Sequence, residues 1–164
     1  MKRVAVIVGR FQAHVLTDGH KELINRVASN NDKIIVFIGT SPLKPDIKNP
    51  LPYNMRYYMV SSYIRGRYMI DFDINPIEDV FNIPLWSNNL DKYIKLLTRT
   101  DDSITLYGGR DSFKYTGIYP KKQIKSETTS SATELRNDII NNTDVSRISE
   151  DFRKGIIWAF GKMK

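Results

Sequence analysis

Cysteine is absent from the 164 residues, which excludes disulfides, thiolate nucleophiles and thiolate metal sites and leaves any metal with oxygen or imidazole ligands. Long apolar runs are missing as well. The longest, Val4 to Val8 and Ile34 to Ile38, fall far short of the roughly 20 residues a membrane-spanning helix requires. The N-terminus has no secretory apolar segment with a cleavage site, so the expected location is the cytoplasm with no membrane partner. There is also no internal repeat, low-complexity tract or linker. A chain of 164 residues is the length of one ordinary domain, and residues 1–164 are read as a single one with one active site.

What is present is a globular composition, 41% hydrophobic and 26% charged, with a formal net charge of +7. The positive balance points to an anionic partner, and by itself it suits nucleic acid, acidic lipid or a polyphosphate equally. Residues 3 to 8, RVAVIV, form a β-branched run ending at Gly9, the pattern of a strand buried on both faces. Leu23, Ile24, Val27 and Ala28 recur at helical spacing and predict a helix over about 19–29, before a second buried strand, Lys33 to Ile38. The stretch Gly39 to Pro52 is an irregular, lysine-bearing connection, long enough to suggest a functional loop. The pattern then predicts a helix over 53–65, a strand over 69–75, a helix over 87–99 and a strand over 103–107. A short fifth strand is expected near Gln123 to Lys125, with two C-terminal helices over about 132–141 and 147–161 packed on the domain. Strands alternating with helices imply a Rossmann-like α/β fold: an open parallel sheet of about five strands, helices on both faces and a helical C-terminus. Ligands bind such sheets beyond the carboxyl ends of the strands, where Gly9, Gly39 and Gly108 fall.

Two segments have the form of phosphate-binding helix starts. Gly9-Arg10-Phe11-Gln12 leaves the first strand and Thr17-Asp18-Gly19-His20 opens the first helix, so unpaired N–H groups and the helix dipole favour an anion there. His20 in the first turn is placed to donate to phosphoryl oxygens, and Gly19 lets the backbone approach. The competing reading is that Thr17 or Asp18 only caps the helix. Near the C-terminus, Ser131 and Glu134 within SSATELR have capping-box spacing, while Thr133 and Arg136 add a hydroxyl and a bidentate donor in the same first turns.

Taken together, GRFQ, TDGH and SSATELR resemble the cytidylyltransferase-like nucleotidyltransferases that carry GRFQ, an (H/T)xGH motif and an ISxTxxR signature. In particular the sequence resembles the nicotinamide mononucleotide adenylyltransferases of bacterial, archaeal and phage type. The resemblance implies an enzyme that moves AMP from ATP to nicotinamide mononucleotide, forming NAD and pyrophosphate by direct in-line attack. It implies that Arg10, Thr17 and His20 contact the ATP phosphates, His20 at the α-phosphate, with Gly9, Phe11, Gln12 and Gly19 around them. It also implies that Ser131, Thr133 and Arg136 bind the β- and γ-phosphates, and that Gly108, Arg110 and Asp111 lie beside the ribose and adenine.

Arg56, following Asn49-Pro50, resembles the arginine of an NPxxxxxR segment lining the active-site crevice, though an arginine on a helix needs no ligand. Asp79, Asn82 and Trp86 resemble the acceptor-binding loop, with asparagine at the carboxamide and tryptophan stacked on the nicotinamide ring. The competing reading of Trp86 is a packing anchor. The implied co-substrate is ATP with Mg²⁺ bridging its phosphates, and no protein metal site or nucleic-acid partner is expected. Thr17 stands where much of the family has histidine and Ala13 where proline is frequent, which shifts the expected catalytic burden to His20; His14 is left outside the catalytic set. A pyrophosphohydrolase domain, fused in some members, is not expected. Two other readings remain: the same chemistry with phosphopantetheine, flavin mononucleotide or a sugar-like phosphate as acceptor, and a non-catalytic nucleotide sensor or basic nucleic-acid-binding module.

Overall fold

The structure, a computed structural model, describes residues 1–13, 16–41, 51–109 and 113–125. In chain order the elements are β1 (Arg3–Gly9), α1 (Asp18–Asn30), β2 (Lys33–Thr40), α2 (Tyr53–Arg67), β3 (Asp71–Glu78), α3 (Ile83–Leu97), β4 (Ser103–Gly108) and β5 (Lys121–Gln123). The strands form one five-stranded sheet in the order β3-β2-β1-β4-β5, every neighbouring pair parallel. This is the Rossmann-like architecture that the alternating pattern implies.

Period-two alternation splits the core into two layers. Ala5 and Ile7 of β1 join Leu23, Ile24 and Val27 of α1 and Val60 and Ile64 of α2 on one face. Val4 and Val6 join Leu90 and Ile94 of α3 on the other. Ile24, Ile64, Leu90 and Ile94 are fully buried, and each such side chain contributes roughly 1.5–3 kcal/mol of transfer free energy. Helices α1 and α2 thus cover one face as the chain steps from β1 out to β3. Helix α3 crosses the other face as the chain returns to lay β4 on the opposite side of β1. The strand order reverses at β1 and β4, and an open α/β sheet takes its ligand beyond the carboxyl ends of such a pair.

Several boundaries depart from the pattern reading by two to four residues, and three have a clear local reason or bear on the site. Helix α3 begins at Ile83, not 87, because Asn82 caps it: its side chain accepts from Leu85 N at 2.9 Å, and Pro84 sits in the first turn, where its missing N–H costs nothing. Strand β3 runs to Glu78 through Pro76, which an edge strand tolerates. Strand β5 starts two residues early, at Lys121. The expected C-terminal helices, the segment 42–50, and Arg110, Asp111, Ser131, Thr133 and Arg136 lie outside the described residues.

Candidate active site

The turn leaving β1 is shaped by a contact between its own residues. Phe11 is 3% exposed and has φ of 54°, a left-handed conformation that costs a non-glycine residue roughly 1–2 kcal/mol. Its ring lies on Gly9, where a Cβ would stand 2.9 Å from Phe11 Cε2, so the glycine of GRFQ makes room for the phenylalanine. The same ring reaches His20 at a centroid distance of 4.8 Å. Strain held at a strand-to-helix turn by a buried aromatic is the kind that accompanies functional sites.

At the start of α1, Thr17 and His20 form a reciprocal capping box. His20 N donates to Thr17 Oγ1 at 3.1 Å, and Thr17 N donates to His20 Nδ1 at 3.2 Å. Histidine stands where such boxes usually have glutamate or glutamine. An Nδ1 that accepts puts the proton of the neutral imidazole on Nε2, which makes Nε2 the donor nitrogen. The capping and catalytic readings of TDGH are therefore compatible: the cap fixes both the tautomer and the orientation that a phosphate-facing donor needs. Gly19 lies between them in the first turn.

Arg10 bridges two strand ends. Its Nη1 donates to Asp79 Oδ1 at 2.8 Å, linking the turn after β1 to the residue following β3. Gly39, at the end of β2, lies beneath it, and a Cβ there would come within 3.2 Å of Arg10 Nη1. Arg56 of α2 is 4% exposed, and its Nη1 donates to Gly39 O at 2.6 Å and Arg10 O at 2.9 Å. Its Nε has no partner among the described residues. Burial, then the nearby Arg10, pushes the Arg56 pKa down to about 10, so it stays a cation at neutral pH. Its placement is that of a buried clamp on the carboxyl ends of β1 and β2, with its charge directly beneath this edge. Gln12 is also a clamp: buried, it donates to Leu51 O at 3.3 Å and accepts from Leu51 N at 2.9 Å, tying the turn to the start of α2.

On the far side of the edge, Asn82 uses Oδ1 as the α3 cap, and Trp86 lies in the first turn of α3. Trp86 is half-buried and meets Phe113 at a centroid distance of 5.7 Å, tilted by 58°. Gly108 ends β4 and accepts from Ile124 N at 2.8 Å, which leaves it part of the sheet rather than the loop. Thus β1, α1, α2 and β3 bring Gly9, Arg10, Phe11, Thr17, His20, Arg56 and Asp79 to the ends of β1–β3, with Asn82 capping and Trp86 on the helix that follows, α3. The pattern reading did not find Phe113, Ser87 or Asp91. The available signal was polar Ser87 and Asp91 on the same stripe of α3 as Leu90 and Ile94.

A family model described as cytidylyltransferase-like matches residues 6–149 of the chain. The chain belongs to the cytidylyltransferase-like family. The matched span includes GRFQ, TDGH and SSATELR together. Similar to this member is a nicotinamide-nucleotide adenylyltransferase of Picrophilus torridus, 34% identical over 87 residues, 53% of this chain and 50% of that one. Another, from Methanococcus aeolicus, is 28% identical over 145 residues, 85% of this chain and 79% of that one. The chain spans about half the length of the Picrophilus relative and of a Thermoplasma acidophilum relative with the same description. A solved bifunctional NMN adenylyltransferase/ADP ribose pyrophosphatase from Francisella tularensis shares the fold, with a TM-score of 0.73 at 24% identity, covering 90% of this chain and 45% of that one. Among the described residues of this family member, no helix is long and apolar enough to cross a membrane.

Proposed function

We propose that this chain is a nicotinamide-nucleotide adenylyltransferase acting on ATP and nicotinamide mononucleotide. The observation that carries the reading is the Thr17–His20 capping box at the switch point of the sheet, which directs a neutral imidazole donor from a helix N-terminus. The naming of the Picrophilus and Methanococcus relatives supports the same activity. An acceptor phosphate oxygen attacks the α-phosphorus of ATP, the bond from that phosphorus to the α–β bridging oxygen breaks, and pyrophosphate departs with the electron pair. A phosphate nucleophile is already anionic, so no covalent enzyme intermediate or strong base is needed. The protein's work is alignment and electrostatic stabilisation.

In this reading His20 Nε2 and Arg10 hold the α-phosphate, while Thr17 fixes His20 and Gly19 admits the phosphate to the helix start. Gly9, Phe11 and Gln12 shape the turn under the nucleotide, and Arg56 supplies fixed positive charge beneath it. Ser131, Thr133 and Arg136 hold the β- and γ-phosphates, and Gly108, Arg110 and Asp111 flank the adenosine. Asp79, Asn82 and Trp86 receive the acceptor, Trp86 as a platform for the cationic pyridinium ring.

Asp79, at this edge, is engaged by Arg10, and among the described residues no group of three or more His, Cys, Asp or Glu could hold a metal ion. Magnesium would arrive on the triphosphate, held mainly by phosphate and water oxygens. Bound there, it would supply positive charge against the phosphates. The proposed location is the cytoplasm, with small nucleotides and not nucleic acid as partners.

Pyrophosphate release with ATP, magnesium and each of nicotinamide mononucleotide, its nicotinic acid form, phosphopantetheine and flavin mononucleotide tests the reading, with His20→Ala as control. NAD formation that falls by about 10²–10³ in kcat in the control supports it. Turnover only with another acceptor moves the assignment within the family. ATP binding without turnover favours a nucleotide sensor.

A further inference from the structure

Helix α3 carries two polar side chains on its buried face, Ser87 and Asp91, one turn apart and 1% and 6% exposed. A carboxylate so buried is costly unless hydrogen-bonded. Among the described residues, the hydrogen-bond partners of this pair come from one segment, residues 115–118. Asp91 Oδ1 accepts from the Tyr115 hydroxyl, and Oδ2 accepts from Ile118 N at 3.1 Å. Ser87 Oγ accepts from Thr116 N at 3.0 Å. The Tyr115 hydroxyl in turn accepts from Tyr119 N at 3.1 Å. Gly117 lies against the Tyr115 ring so closely that a Cβ would stand 2.3 Å from Cζ.

This latch bears on the aromatic group beside it. Phe113, two residues before Tyr115, meets that ring at 6.3 Å and the Trp86 indole at 5.7 Å, and Lys121 Nζ lies 4.4 Å from the Phe113 ring centre. Trp86 is the chain neighbour of Ser87. Apolar contacts alone would cover α3 with a smaller desolvation cost. Directed bonds to Tyr115, Thr116 and Ile118 add a fixed register between the segment and the helix.

We propose that Asp91 and Tyr115 are positioning residues for the acceptor: by bolting residues 113–119 to α3 they hold Phe113 against one side of the Trp86 indole and keep the other side a fixed platform for the acceptor's pyridinium ring. This role rests on the proposed reading of Trp86 as the stacking residue.

The test is steady-state kinetics of the full chain: wild type, Tyr115→Phe, Asp91→Asn, Trp86→Ala and the Tyr115→Phe/Trp86→Ala double variant. Tyr115→Phe and Asp91→Asn are expected to raise KM for nicotinamide mononucleotide about three- to tenfold, the worth of one ordered aromatic contact. KM for ATP and kcat should stay within about twofold, and the double variant should be no worse than Trp86→Ala alone. An unchanged acceptor KM overturns the role. So does a parallel loss in kcat and both KM values, which marks a general structural effect, or an additive double variant, which removes the route through Trp86. If Tyr115→Phe fails to fold, Ser87→Ala, which removes only the acceptor of Thr116 N, should show the same pattern, and its absence is equally fatal. A wild type that makes no NAD brings down the acceptor reading and this role together. An active wild type with insensitive variants brings down this role alone.

Discussion

Gly9 ends β1 and Gly39 is the last residue but one of the adjacent β2, yet the atoms facing them differ in what they can do when crowded. At Gly9 the neighbour is the Phe11 ring, buried and carried on a backbone already at φ of 54°. The ring has nowhere to go, so Gly9→Ala is expected to destabilise the protein by about 1–3 kcal/mol, read from the urea midpoint. At Gly39 the neighbour is the tip of Arg10, 40% exposed in its side chain and able to swing away. Gly39→Ala is therefore expected to change stability by less than ~1 kcal/mol while displacing Arg10 from Asp79. On the proposed reading of Arg10 at the α-phosphate, turnover should fall by roughly ten- to a hundredfold. Equal stability losses in the two variants would remove the distinction. Gln12 makes a related point: its two bonds to the Leu51 backbone were not visible in GRFQ, because the partner lies in a segment with no pattern of its own.

Helix α1 begins with two reciprocal bonds that would join folding to the proposed chemistry: Thr17 Oγ1 accepts from His20 N and caps the helix, while Thr17 N donates to His20 Nδ1 and sets the direction of Nε2. Thr17→Ala keeps the backbone donor to Nδ1 but removes the cap that holds it in place; it is expected to lose about 1 kcal/mol of stability and, by loosening that donor, to lower kcat with little change in KM for ATP. Thr17→Ser should restore both, because it keeps the oxygen. A Thr17→Ala variant with full kcat would mean that the backbone bond from Thr17 N alone orients the histidine. Helix α1 was legible in the sequence because cap residues and apolar period agree there. Strands β1 and β2 were legible because Val4–Ile7 and Ile34–Ile38 are buried on both faces and so apolar without interruption. Helix α3 was misplaced by four residues at its start because Ile83-Pro84-Leu85 is exposed and carries no helical stripe, so only the Asn82 cap and Pro84 mark the beginning. The latch on α3 was illegible for a different reason. Ser87 and Asp91 read as solvated polar residues until the segment after β4 supplies their donors, and that pairing is long-range.

At the scale of the whole molecule, stability against pH sums every group whose pKa differs between folded and unfolded chain, so a single contribution is best isolated as a difference between two proteins. Burial, then the bond to Asp91, raises the Tyr115 pKa well above its ordinary 10.0. Tyr53, Tyr68 and Tyr119 are raised in the same direction, mainly by burial, whereas burial lowers Arg56 and Lys121, which act with the opposite sign in the same alkaline range. Below pH 10 the Tyr115 hydroxyl is protonated in both states and its contribution is whole. Above 10 the unfolded chain releases the proton while the folded chain keeps it, so fewer protons are bound on unfolding and the contribution declines as pH rises. Tyr115→Phe removes this one term and leaves the other groups in both proteins. The stability gap between wild type and Tyr115→Phe, taken from urea midpoints, is therefore expected to be constant from about pH 7 to 9 and to narrow from about pH 10 to 11. A gap that stays constant through that range would mean the Asp91–Tyr115 bond does not persist in solution, and the latch on α3 would lose its central contact.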